Sequence, residues 1–132
     1  MRDLKIVSLN VKGFNNVIKR QKILAFLRKE KTQIALLSET HLNYLKHLKL
    51  RRSWVGQVYY SSYNTNSRGV AILIHRSLPF TLEKTIKDND GRYILISAYL
   101  RLVAYTAQIH TILPFSLSFC VMSHLYQPHM LC

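Results

Sequence analysis

LKIVSLNVKGFN at residues 4–15, answered by QIALLSETHL at residues 33–42, is the pair of segments that decides the fold. Residues 4–9 and 34–37 are short apolar runs bounded by polar residues, the pattern of strands. Between them, residues 17–31 form a basic amphipathic stretch long enough to cross back over a sheet. The order therefore predicts a strand, a helix and a parallel strand, a unit whose crossover is right-handed in nearly all folds. Asn10 stands just after the first strand and Glu39 just after the second. In parallel neighbours both side chains emerge at the carboxyl end of one sheet, the edge where open α/β sheets hold their ligands. An amide and a carboxylate converging there suit a hard cation such as magnesium. Asn and Glu also serve strand ends and turns through their capping chemistry, so spacing alone leaves both readings open.

Outward from this unit, the chain reads as a sheet with helices on one face. Asn15 or Asn16 can cap the crossover helix, with Ile23, Leu24 and Leu27 toward the sheet and Lys19, Lys22, Arg28 and Lys29 outward. Residues 43–52 form a short basic helix on which Leu45, Leu48 and Leu50 partly pack. Residues 54–61 read as a strand in which Tyr59 and Tyr60 are packing residues. SSYNTNS at residues 61–67 is a loop by composition. Arg68 and Gly69 then lead into a buried strand at residues 70–75. Residues 78–86 make a further strand that Pro79 keeps at an edge. KDNDG at residues 87–91 is a turn, and residues 92–100 return as its antiparallel partner. Asp88 and Asp90 fit that turn by their local hydrogen bonding.

Charge divides the chain. All 19 Lys and Arg and all 6 Asp and Glu fall in residues 2–101, giving that segment the whole +13, while residues 102–132 carry three histidines and no other ionisable charge besides the terminus. This places a junction near residue 101 and predicts a basic domain at 1–101 followed by an apolar tail. A segment so basic meets polyanions such as nucleic-acid phosphates, with an affinity that falls steeply in salt. Both cysteines, Cys120 and Cys132, lie in the tail. The first hundred residues are thus not a disulfide-stapled secreted scaffold, and the amino end lacks the apolar run of a signal peptide. These features point to an intracellular chain, cytoplasmic or nuclear.

Six strings, SLNVKGFN, IKRQKILAFLRKEK, QIALLSETHL, WVGQVYYSS, SRGVAILIH and GRYILIS, occur in this order between residues 8 and 97. Together they resemble the opening of the endonuclease/exonuclease/phosphatase superfamily, and most closely the endonuclease at the amino end of the second open reading frame of non-LTR retrotransposons. The resemblance implies the amino-terminal half of a four-layer α/β sandwich of the DNase-I-like type, incomplete in a chain that looks truncated. It implies a magnesium-dependent phosphodiesterase or DNA endonuclease in which Asn10 is the active-site asparagine, Glu39 binds the magnesium and His41 is the histidine of an ETH triplet. Ser38 stands where relatives carry glutamine. Lys12, Lys19, Arg20 and His41 are the candidates for nucleic-acid contact, with DNA as the expected partner and no small-molecule cofactor.

The resemblance also implies groups that cannot be found downstream: an aspartate and asparagine pair that orients water, and a late histidine held by an aspartate as the base. No Asp or Glu occurs after Asp90. His41 has no neighbour in the sequence pattern that would orient its imidazole for that duty. The expectation is family membership without efficient catalysis, or a noncatalytic basic remnant that contacts nucleic acid by charge alone. The tail is expected to be sequence unrelated to the domain, ahead of a zinc array from Cys120, His124, His129 and Cys132 or a membrane anchor, and a membrane is not an expected partner. A halved sandwich should leave one sheet face apolar and exposed, or covered only by that tail.

Overall fold

The computed structural model describes residues 4–64, 67–105 and 110–122, with side chains described outside 101–105 and 110–115. In chain order the elements are β1 (Ile6–Asn10), α1 (Val17–Lys29), β2 (Ile34–Ser38), α2 (Tyr44–Leu48), β3 (Val55–Ser61), β4 (Val70–His75), β5 (Phe80–Lys87), β6 (Tyr93–Tyr105) and β7 (His110–Met122). They build two sheets rather than one: a four-stranded sheet in the order β1-β2-β4-β3 and a three-stranded sheet in the order β5-β6-β7.

The opening unit forms as its residue pattern requires. β1 and β2 are parallel, with Ile6 opposite Ile34 and Asn10 opposite Ser38, and α1 crosses between them. Asn16 is the cap of α1, its side chain accepting the Lys19 N–H at 3.0 Å and so satisfying one orphan donor of the first turn. Leu27 is fully buried, and Ile23 and Leu24 pack beside it against Ala35, Leu37 and Trp54. The Trp54 indole N–H donates to the Leu24 carbonyl at 3.0 Å, tying the helix to the start of β3. β4 runs antiparallel to both β2 and β3, and its five residues Val70 to Ile74 are all buried because both faces of this central strand are covered.

The other face of β4, expected to be exposed or covered only by the tail, is covered by more than the tail. Val70, Ile72 and Ile74 pack on Ile94 and Ile96 of β6 and on Phe119 and Val121 of β7. The cover is therefore a second sheet, to which both the strand at 93–105 and the apolar segment contribute. β6 continues through residue 101, and β7 pairs with it in unbroken antiparallel register from Tyr93–Met122 to Tyr105–His110. The sequence at 116–121 explains this: Ser116, Leu117, Ser118, Phe119, Cys120 and Val121 alternate polar or small with large apolar residues, and only the large ones face inward. β5 is an edge strand exposed along nearly its whole length, protected by Glu83, Lys84 and Lys87 and by a bulge between Leu82 and Lys84. Among the described residues no helix is long and apolar enough to cross a membrane. Of the suggested zinc array, His124, His129 and Cys132 lie outside the described residues.

The α2 helix faces the opposite way from expectation. α2 is only five residues long and turns His47 inward, fully buried, while Leu45 and Leu48 are 64% and 46% exposed. Leu50, just past the helix, does pack inside. A histidine displaces leucines here because both of its ring nitrogens find hydroxyl partners, so burying it strands no polar group.

Candidate active site

The carboxyl ends of β1 and β2 lie side by side, and the loops that follow them are stitched together by backbone bonds. Val11 N–H donates to the Ser38 carbonyl at 3.0 Å, Gly13 N–H to that of Glu39 at 2.7 Å and Phe14 N–H to that of Thr40 at 2.8 Å. The chain thus pairs beyond the strands and carries Asn10 and Glu39 out together at one edge. A third loop joins from β4, where Thr40 N–H donates to the Gly69 carbonyl at 3.0 Å and His41 N–H to that of Arg68 at 2.8 Å.

This edge is conformationally unusual. Lys12, Glu39, His41 and Arg68 all have left-handed backbone, with φ of 49°, 55°, 54° and 60°. Non-glycine residues held there cost about 1–3 kcal/mol each and cluster where a surrounding structure over-determines them. Gly69, at φ 94°, is required twice over: a Cβ on it would collide with Thr40 Oγ1.

Glu39 is half-buried, and its Oε2 lies 3.2 Å from His41 Nε2. That contact is a hydrogen bond when Nε2 carries the proton and an ion pair when the ring is charged. The imidazole is therefore oriented after all, by the carboxylate two residues before it, a neighbour that linear reading overlooked. Asn10 is exposed, and its Oδ1 accepts the Lys12 N–H at 3.0 Å, which fixes the amide with its oxygen toward the loop backbone. Lys12 is itself exposed. Lys19 and Arg20 are half-buried and bind the same loop from α1: Lys19 Nζ donates to the Lys12 carbonyl at 3.2 Å and an Arg20 guanidinium N–H to that of Phe14 at 3.1 Å. Asn15 closes the cluster, donating to the His41 carbonyl at 2.6 Å and accepting Lys46 Nζ at 2.8 Å. The structure thus gathers all six predicted residues about one loop cluster, with Lys19 and Arg20 reaching it as braces from the helix.

Three groups support this edge, of which the buried His47 departs from expectation. Beneath Thr40, His47 Nε2 lies 2.9 Å from Thr40 Oγ1 and its Nδ1 lies 2.7 Å from Ser62 Oγ. Burial pushes the His47 imidazole down to about 4, so it is neutral at ordinary pH. Tyr60 stacks on that ring, with centroids 5.1 Å apart, and carries Tyr44 edge-on and Lys87 over its face. The turn at residues 88–92 supports the site from outside. Arg92 reaches Asp88 at 2.8 Å and Asp90 at 2.9 Å, and Gly91 accepts the Gly69 N–H at 2.9 Å. Partial burial would raise the Asp88 carboxyl, but the hydrogen bonds from Arg92 outweigh it and hold the group below its usual range. Both aspartates are therefore occupied in shaping the turn.

An amide and a carboxylate oxygen are donor types that a hard divalent cation takes. Asn10 and Glu39 offer an amide and a carboxylate oxygen, and among the described residues no group of three or more His, Cys, Asp or Glu converges to close round a metal. Softer metals such as zinc take three or four protein ligands, whereas a strongly hydrated ion is held by one or two carboxylates, waters and substrate phosphates.

Residues 7–109 match the model of the endonuclease/exonuclease/phosphatase family. The chain belongs to that family. Endonuclease/exonuclease/phosphatase enzymes are hydrolases of the phosphodiesterase or endonuclease type, act on nucleic acid or other phosphodiester substrates and generally depend on a divalent metal. The matched stretch contains every residue of the edge cluster, and the two sheets with few helices agree with an incomplete DNase-I-like α/β fold.

Proposed function

We propose that this chain is a fragment of a magnesium-dependent phosphodiesterase of retrotransposon origin that binds DNA and hydrolyses it inefficiently. The observation that carries this reading is the Glu39 carboxylate, held on a left-handed turn at the carboxyl edge, beside the strand that ends in Asn10. In it, Glu39 and Asn10 would hold the ion, which when bound would supply charge relief at the phosphoryl oxygens and at the departing oxygen. Asn10 also donates its amide N–H groups to the phosphate, and Lys12, with the basic face behind it, draws the polyanion in. The retrotransposon origin rests on the six ordered strings.

Inefficiency follows from the chemistry the chain does not supply. Attack by water needs a base and an oriented nucleophile, each worth orders of magnitude in rate. No Asp or Glu follows Asp90, and Asp88 and Asp90 are themselves engaged by Arg92. His41 already shares its Nε2 with Glu39, so using it as the base would compete with the carboxylate that binds the metal. The net charge of +13 favours a second reading, a noncatalytic basic remnant that retains DNA by phosphate contacts alone.

Nicking of supercoiled plasmid in magnesium, beside Glu39→Ala and a chelator control, separates the two. Slow nicking lost in both controls supports the first reading. Salt-sensitive retention without nicking leaves the second, and neither activity nor retention contradicts both.

A further inference from the structure

The turn bearing Glu39 is anchored by a buried polar chain that strand pairing does not need. Thr40 lies between two left-handed residues, Glu39 and His41, and its side chain is fully buried. Its hydroxyl meets His47 Nε2 at 2.9 Å, and the far nitrogen of His47 meets Ser62 Oγ at 2.7 Å. The imidazole is fully buried and lies nearly parallel to the Tyr60 ring, at 10°. Such a ring is satisfied in either neutral tautomer, because each hydroxyl can donate or accept as the facing nitrogen requires.

The backbone bonds of the turn run to the β1 and β4 loops, and the Thr40 hydroxyl ties it directly to α2, beside an indirect link from the His41 carbonyl through Asn15 to Lys46. An apolar pair at positions 40 and 47 would fill the same space. A hydrogen bond adds direction, fixing how the turn is tilted as well as how deeply it sits. One residue along, that tilt becomes the direction of the Glu39 carboxylate.

We propose that His47 is a positioning residue for the divalent-metal site, acting through Thr40 to set the turn that aims the Glu39 carboxylate. The inference rests on the reading of Glu39 as the metal-binding carboxylate. Groups hydrogen-bonded to a metal ligand are typically worth about 10–100-fold in metal affinity, and His47, which acts one contact further back through Thr40, falls at the lower end. The probe is Mn2+, titrated into the full chain and followed by the electron paramagnetic resonance signal of the free ion.

Thr40→Val keeps the shape and removes the hydroxyl, and His47→Phe keeps an aromatic ring and removes both nitrogens. Each is expected to weaken Mn2+ binding by about 10-fold, the double variant no further than the weaker-binding single because both break the same Thr40–His47 bond. Thr40→Ser, which retains the hydroxyl, should bind as the unaltered chain does. A purely structural role predicts lower thermal stability for the variants with unchanged affinity in the folded protein, and that result overturns the proposal. If neither Thr40→Val nor His47→Phe folds, Ser62→Ala loosens the ring without touching the turn. It should still weaken Mn2+ measurably, and unchanged affinity there counts against the inference. Glu39→Ala separates the levels: loss of binding in Glu39→Ala with none in Thr40→Val overturns only the role of His47. Unchanged binding in Glu39→Ala, or no binding by the unaltered chain, overturns the metal site and the inference with it.

Discussion

Truncating Phe119 to alanine asks whether β7 belongs to the packed domain. Phe119 is 8% exposed, sits opposite Ile96 and joins the cluster containing Ile72 and Ile94. Replacing a buried phenylalanine by alanine costs about 3–5 kcal/mol, and an edge strand can relax into the space, which favours the lower figure. Against a total stability of about 7–20 kcal/mol for a domain of this size, a loss of about 3 kcal/mol is large. With a urea slope of about 2 kcal/mol per molar, the unfolding midpoint falls by about 1.5 M. The assay is urea denaturation followed by fluorescence of Trp54, the single tryptophan, which is buried in the cluster on the opposite face of the first sheet. A shift seen there means that the two layers unfold together. Ser118→Ala is the control, since its exposed hydroxyl, 3.0 Å from that of Ser97, should matter by no more than about 0.5 kcal/mol. A Phe119→Ala midpoint equal to that of the control would refute the packing of β7 against the core.

Two further outcomes follow from the edge. Gly69→Ala places a Cβ against Thr40 Oγ1 on a backbone at φ 94°, and should cost about 2 kcal/mol or more in urea unfolding while weakening Mn2+ binding, since the Glu39 turn must shift. Stability should also depend on pH through His47, whose imidazole is lowered from 6.5 to about 4 by burial. Between those values the unfolded chain binds the proton and the folded one does not, so stability rises as pH climbs from about 4 to 6.5. The rise attributable to this group is roughly 3 kcal/mol, and it should be absent in His47→Gln when urea midpoints are compared across that range.

The parts of the molecule written in local periodicity were legible. The apolar runs of β1, β2 and β4, the cap at Asn16 and the inward stripe Ile23, Leu24 and Leu27 are set by short-range chemistry that the sequence displays directly. Asn10 and Glu39 were legible for the same reason, as the residues that end two parallel strands. Burial of His47 was not, because its partners Thr40 and Ser62 stand 7 and 15 positions away and only the folded chain brings them together. Hydrophobicity favoured Leu45 and Leu48 for the inward face, and hydrogen-bond satisfaction decided otherwise. The second sheet was obscured by charge. Charge falls to zero after Arg101 while β6 runs on past that residue, and the alternation at Ser116, Leu117, Ser118 and Phe119 is the local pattern of β7. The contact of His41 with Glu39 depends on left-handed backbone at both residues, a conformation that neither residue type announces in the sequence.

The most direct measurement is a crystal of the full chain soaked in Mn2+ and recorded at the manganese absorption edge. The account predicts an anomalous peak within bonding distance of the Glu39 carboxylate and the Asn10 amide oxygen, at the carboxyl ends of β1 and β2. A peak elsewhere on the molecule, or none at this edge at saturating Mn2+, would contradict it.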